Sequence, residues 1–327
     1  METLGESDLC FPHLFNASCK KLMRSHFETS LIYFVLSAIS VVTTALNLLV
    51  IISISHYKQL QTPTNFLLLS LAVSDFFVGL LMSFQIVLID GCWYLGDIMC
   101  IVYRVLDYII TSASIGTMIL ISVDRYVAIC DPLHYPTKVT PKRVQICNCL
   151  CWLGSALCHT MLMKHNMEEP GRYNTCTGQC VTVIDYAGGL IDLIVSFVSP
   201  LTFILILYMR VFVVVVSQAR AMRSHVASST AQGGVTVKKS EMKAARVLGV
   251  VIIAFLSCLC PYFLVTTTGQ DTLFNSASEA LAICLFYFNS CLNPLIYACF
   301  YPWFRKCLRL IFTLQILQPG SNQMNVM

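Results

Sequence analysis

The chain has 327 residues, 57% of them hydrophobic and only 12% charged, with a formal net charge of +4. A mean hydropathy of +0.72 is too high for a soluble domain of ordinary surface and excludes one; the solvent of this chain is lipid.

A spanning helix needs roughly 20 mostly apolar residues. Seven such stretches follow one another at about 30–54, 66–89, 98–129, 144–163, 188–216, 243–268 and 277–300. They predict an all-α membrane protein, a seven-transmembrane helix bundle. No segment between them reaches even ~50 residues, the low end for an independent domain. The chain therefore divides into an extracellular segment 1–29, a transmembrane domain 30–300, and an amphipathic helix with cytoplasmic tail, 301–327.

Basic loops stay in the cytoplasm. With the N-terminus outside, fifteen of the 21 Lys and Arg residues fall at or near inner ends, among them Lys138, Lys142, Arg143, Arg220, Arg223, Lys238, Lys239, Arg305 and Lys306. The first segment has no apolar run of signal-peptide type, so the first span is expected to act as an uncleaved signal. Its Asn16-Ala17-Ser18 sequon makes Asn16 a glycosylation candidate. Six of the seventeen cysteines, Cys10, Cys19, Cys92, Cys100, Cys176 and Cys180, lie in or beside outer loops, an even number where disulfides persist. Six cysteines allow fifteen pairings, and the sequence alone leaves Cys10 with Cys176 and Cys19 with Cys92 as one option.

Along the chain, Pro200 and Pro261 sit mid-span, where each removes a backbone hydrogen bond. The run 228–234 reads as the tip of the third inner loop. After the seventh span, Trp303 to Phe312 alternates apolar and basic residues at helical spacing, as a helix lying on the inner membrane surface does. Such a helix is expected to hold the Cys307 thiol at the lipid boundary, a position suited to palmitoylation.

An ionisable residue inside a span costs about 2.5–3.5 kcal/mol on insertion scales and marks a functional site by default. Three carboxylates qualify: Asp75, Asp107 and Asp192. Asp107 precedes Arg125 by eighteen positions, roughly 27 Å up the same helix at 1.5 Å per residue, near the outer mouth. Asp192 precedes Pro200 by eight and reaches a comparable depth on the fifth span. With no Lys or Arg at matching depth in the neighbouring spans, two carboxylates facing one outer cavity call for an external cation. The plainer alternatives are an Asp107 bonded to neighbouring hydroxyls and an Asp192 facing a loop or water.

Three motifs stand at the expected ends or depths of their helices: Asp124-Arg125-Tyr126, Asn293-Pro294-Leu295-Ile296-Tyr297, and Leu71-Ala72-Val73-Ser74-Asp75. With Asn47, Trp152, Pro200 and Pro261, residues 30–312 resemble the rhodopsin-like G protein-coupled receptors. The run from Asn289 to Lys306 and Cys176-Thr177-Gly178-Gln179-Cys180 are similar to trace amine-associated receptors in particular, fish-type diamine-sensing members among them.

The resemblance implies a plasma-membrane receptor for a small organic amine, signalling through a heterotrimeric G protein, stimulatory and cyclic-AMP-raising, in olfactory neurons. It places Asp107 where amine receptors bind the ligand ammonium; Asp192, read as facing the same cavity, is then the partner for the second ammonium of a diamine, and a monoamine receptor using Asp107 only is the alternative. Tyr103, Tyr108, Thr111, Ser196, Tyr262, Phe263 and Tyr287 complete the expected ligand set. It implies a Cys100–Cys180 bridge. Asp75, Ser114, Asn289, Ser290 and Asn293 resemble a sodium site that favours the resting state; a water-filled polar network is the alternative. Arg125 is expected to pair with Asp124 and with Glu241 in a clamp on the sixth helix, with Tyr208 and Tyr297 closing around it after activation.

Leu259 departs from the pattern, standing where most relatives carry a tryptophan, and leaves Phe255, Tyr262 and Phe263 to share its trigger role. A light-sensing pigment would need a lysine in 277–300, which has none. A transporter usually shows internal repeats, and no nucleophile–base pair or metal-protease motif suggests an enzyme. No cofactor beyond the sodium ion and no nucleic-acid partner is expected.

Overall fold

The apolar stretches fold as helices whose first turns carry capping chemistry. The architecture is that of a computed structural model, which describes residues 9–14, 16–22, 25–226, 249–250, 253–263 and 276–326. Helix α1 (His26–His56) opens on a capping box, Ser25 Oγ accepting from Glu28 N at 3.2 Å while Glu28 returns a carboxylate oxygen to Ser25 N. Helix α2 (Pro63–Val87) and helix α4 (Pro141–Leu162) share a Thr cap followed by Pro at the first helical position. Between them runs α3 (Gly96–Cys130).

Helix α5 joins Tyr186–Leu193, a π-turn at Ile194–Val198 and Ser199–Val226. Pro200 has no N–H to donate to the preceding turn, and the helix widens just ahead of it. Of α6 the structure describes Ile253–Phe263 as helix. Helix α7 (Ser276–Phe300) carries Pro294 in its interior, and α8 (Pro302–Phe312) follows after Tyr301.

Among the described residues, five helices are long and apolar enough to cross a membrane. Helix α4, at 22 residues, is about 33 Å long but less apolar. Helix α2 packs along α1 and α3, α3 reaches α4 and α5, and α7 closes against α1 and α2. Large apolar side chains such as Phe34, Leu150, Ile206 and Phe212 are left outward, as a lipid-facing surface requires.

Polar cross-links tie the bundle where water is absent. Asn47 Nδ2 donates to the Ser290 carbonyl at 3.0 Å, joining α1 to α7. Trp152 Nε1 donates to Ser70 Oγ at 3.1 Å, and Ser70 meets Thr117 at 3.2 Å, joining α4, α2 and α3. Gly116 lets α4 approach α3 so closely that a Cβ there would strike Cys151 Sγ.

At the outer end three disulfides pin the loops: Cys10–Cys92, Cys19–Cys176 and Cys100–Cys180. The option of Cys10 with Cys176 and Cys19 with Cys92 is corrected. Cys19 N donates to the Thr177 carbonyl at 3.0 Å, setting Cys19 beside the Cys176 loop. Cys10 is left beside Cys92. Asn16 is exposed on this cap.

At the inner end the expectation for Cys307 is corrected. Its side chain is buried among Tyr57, Leu60, Leu310 and Val326 rather than at the lipid boundary. The tail folds back over that face: His56 Nε2 lies 2.9 Å from Ser321 Oγ, and Val326 N donates to Gln59 Oε1 at 3.2 Å. Burial pushes the Cys307 thiol up to about 11.

Candidate functional site

The outer half of the bundle encloses a cavity of about 240 Å³. Asp107, Tyr108 and Thr111 face it from α3, Asp192 and Ser196 from α5, and Tyr262 and Phe263 from α6. Seven of the nine expected ligand residues therefore line one space. The widened turn of α5 explains part of this: Asp192 and Ser196 straddle its start, and Ser196 Oγ donates to Asp192 Oδ1 at 2.8 Å. Phe197 of the same turn stacks on Phe263 at 4.1 Å, seating α6 against α5.

Tyr103 and Tyr287 are not part of the lining, which corrects their assignment. Tyr103 is buried one layer behind, stacked on Trp93 at 5.9 Å and donating to Gln85 Oε1 at 2.8 Å. Tyr287 is buried in the same cluster. Tyr103 stands one turn from Asp107 on the same side of α3, and its ring is turned to Trp93, so spacing by itself does not separate the lining from the layer behind it.

Two further polar side chains belong to the site and were not read from the sequence. Arg104 lies one turn above Asp107 on α3 and lines the cavity, its guanidinium 5.5 Å from the Tyr103 ring. The expectation concerned the neighbouring spans, whereas this basic residue is on the helix of Asp107 itself. His159 of α4, buried at 4% exposure, places Nε2 3.3 Å from Asp192 Oδ1. Asp192 thus has a hydroxyl and an imidazole as partners, whereas Asp107 Oδ1 and Arg104 Nε are buried without a hydrogen-bond partner. A signal for His159 existed: a histidine seven positions after Trp152 sits two turns along the same face.

Below this cavity, Thr111, Ile115 and Phe286 also border a smaller one of about 20 Å³, lined further by Ser114, Phe255, Leu259, Asn289 and Ser290. Asp75 is fully buried beside it, Oδ2 accepting from Asn293 Nδ2 at 2.8 Å and Oδ1 lacking a partner. An orphaned carboxylate oxygen among hydroxyl and amide oxygens suits a small hard cation, and the volume admits one atom of that size.

At the inner end, Arg125 Nε donates to Asp124 Oδ2 at 2.9 Å, and the guanidinium also reaches Thr64. Thr64 Oγ1 and Tyr135 Oη donate to the same carboxylate at 3.0 and 2.8 Å. Burial raises the Tyr135 hydroxyl, keeping it a donor. Just beyond, Lys138 and His134 hold the Asp131 carboxyl down at about 2. Tyr126 is half-buried; Phe255, Pro294 and Tyr297 are buried. Tyr208 buries its hydroxyl without a partner. Glu241 lies outside the described residues.

The family model of the 7 transmembrane receptor (rhodopsin family) matches residues 46–297. The chain is 36% identical to trace amine-associated receptor 13c of Danio rerio over 98% of this chain and 96% of that protein. It is 37% identical to trace amine-associated receptor 6 of Pan troglodytes, covering 97% and 95%, and 37% identical to trace amine-associated receptor 8a of Rattus norvegicus, covering 97% and 96%.

Proposed function

The chain belongs to the rhodopsin family of seven-transmembrane receptors and, within it, to the trace amine-associated receptors, and we propose that its ligand is a linear diamine held between Asp107 and Asp192. It is a multi-pass membrane receptor for a small ligand, coupled to a heterotrimeric G protein, and not an enzyme. The observation that carries the finer reading is the placement of two carboxylates on different helices around one small cavity, with Asp107 Oδ1 unpartnered. An alkylammonium resembles Lys, whose pKa is near 10.4, so a diamine of sufficient length is doubly charged at neutral pH. A charge-assisted hydrogen bond contributes roughly 1.5–3 kcal/mol, so a monoamine of equal length binds about ten- to a hundred-fold more weakly. The ring of Tyr108 and those of Tyr262 and Phe263 supply cation–π faces.

Ligand at the outer cavity biases an equilibrium whose inner end is the Arg125 cluster, in proportion to its different affinity for the two states. Asp75, Ser114, Asn289, Ser290 and Asn293 would hold sodium, which supplies a counter-charge to Asp75 in the resting state. Plasma-membrane residence with the N-terminus outside, glycosylation at exposed Asn16, a stimulatory G protein raising cyclic AMP, and an olfactory role complete the reading. They rest on loop charge, the sequon and family likeness.

The test is Asp192→Ala against Asp107→Ala at equal surface expression. Asp107→Ala abolishes responses to diamines and monoamines alike. Asp192→Ala collapses the diamine response and spares part of the monoamine response; unchanged diamine potency refutes the bridging model in favour of a monoamine receptor using Asp107 alone.

A further inference from the structure

We infer that His159 is a resident counter-ion of Asp192, which the second ammonium of a ligand must displace, so that this histidine sets the preference between dications and monocations. The inference rests on the reading of Asp192 as the second ammonium site.

Both ring nitrogens of His159 face acceptors. Nδ1 lies 2.9 Å from the Ser155 carbonyl oxygen one turn earlier on α4, and Nε2 lies 3.3 Å from Asp192 Oδ1 on α5. A neutral imidazole has one N–H and one lone pair. Either neutral tautomer therefore leaves a lone pair pointing at an oxygen, and only the imidazolium donates to both. Tyr108 of α3 stacks on the ring at 5.7 Å with planes 29° apart and favours this ring plane. Asp192 is thus held by a cation, and by the Ser196 hydroxyl, before any ligand arrives.

Among the described residues, the other ionisable groups facing this space are Arg104 and Asp107 from α3, with the Tyr108 and Tyr262 phenols from α3 and α6. With His159 as imidazolium the formal charges of Arg104, Asp107, His159 and Asp192 cancel. A monoamine at Asp107 leaves the His159–Asp192 pair intact. A diamine brings a second ammonium against the imidazolium, and the conflict is removed when His159 releases one proton to solvent and remains neutral beside the bound dication. Charge and protons balance: one dication enters and one proton leaves.

Linkage then gives the sign. Where His159 is protonated in the free receptor, diamine potency rises with pH by up to about tenfold per unit, because binding expels one proton. Monoamine potency stays flat over the same range wherever Asp107 is already ionised, since monoamine binding leaves His159 protonated and exchanges no proton there. This range falls well below the ammonium pKa near 10.4, so ligand charge is constant.

The experiment compares 1,5-diaminopentane with pentylamine on the full-length receptor at the cell surface. Dose–response curves are taken from about pH 6 to pH 8, the span in which histidine titrates. Wild type is expected to lose diamine potency toward acid while pentylamine potency holds. His159→Asn abolishes that slope and raises diamine potency at the acid end by about tenfold; His159→Phe, which keeps a ring against Tyr108, carries the same expectation should the Asn variant fail to reach the surface. His159→Lys, a permanent cation, also flattens the profile but at low diamine potency. A wild-type slope in the Asn or Phe variant, or wild-type diamine potency in the Lys variant, overturns the inference. Asp192→Ala separates the two readings: if it leaves diamine potency untouched, the diamine site itself is wrong. If it collapses diamine potency while the His159 variants behave as wild type, only the counter-ion role fails.

Discussion

Asn293 on α7 donates from Nδ2 to Asp75 Oδ2 on α2 at 2.8 Å, across 218 positions of sequence, while the second oxygen of the same carboxylate is buried with no partner. One amide thus satisfies half of a charge that sits at the centre of the bundle. The Ser114 and Ser290 hydroxyls lie beside the same carboxylate, an arrangement that would suit a cation in whichever state keeps the helices close. Replacing sodium by choline at constant ionic strength is expected to raise agonist affinity in wild type. Asp75→Asn, which keeps shape and removes the charge, is expected to make affinity independent of sodium; persistence of the sodium effect in that variant argues for a water-filled network instead.

The Asp124 carboxylate accepts from Tyr135, Thr64 and Arg125 together. Removing one donor from a buried charged acceptor costs about 1–3 kcal/mol, and the loss falls on the arrangement in which Asp124 holds Arg125, which the clamp reading takes as the resting one. Tyr135→Phe is therefore expected to raise ligand-independent signalling several-fold at equal surface expression, with ligand affinity at the outer cavity little changed. Basal activity equal to wild type would show that the hydroxyl does not bear on the equilibrium.

Arg104 faces the same cavity as Asp107 yet its Nε has no hydrogen-bond partner. A fixed cation beside an ammonium site opposes every cationic ligand by Coulomb repulsion, and opposes a dication more. Arg104→Met keeps the bulk and deletes the charge. Amine potency is expected to rise by about five- to ten-fold, roughly 1 kcal/mol or slightly more, with the larger gain for diamines. A fall in potency would mean that Arg104 contacts the ligand through an acceptor.

Cys307 is enclosed by Tyr57, Leu60, Leu310 and Val326, and burial pushes its thiol up to about 11. The thiolate is the reactive form, so at neutral pH the thiol is protonated as well as covered. Native receptor treated with a membrane-permeant maleimide is expected to label exposed Cys299 and to spare Cys307. Labelling of Cys307 should appear after unfolding or as pH is raised toward 11. Hydroxylamine-sensitive palmitate on Cys307 of native receptor would show that the folded-back tail opens in the membrane.

Hydropathy and motif spacing are local properties, and what depends on them was legible in the chain alone. Runs of about 20 apolar residues located the helices, because an unpaired backbone in hydrocarbon is so costly that only helices and closed barrels cross lipid, and runs of that length suit the helix. That Asp107 and Asp192 face one cavity was legible from their offsets to Arg125 and Pro200, because rise per residue is constant along a helix. Rotation about each helix axis and contact between helices are different matters. Tyr103 shares a helix with Asp107 but turns to Trp93, and Cys307 turns inward under a tail that ends twenty residues later. The partners of Cys10 and Cys19 were settled by backbone hydrogen bonds such as that from Cys19 to Thr177. His159 met Asp192 only because α4 and α5 bring together residues 33 positions apart, one of them at the edge of a widened turn. Which nitrogen faces which oxygen is decided by the packing of whole helices, and a linear pattern contains each helix's own period but not its phase against its neighbours.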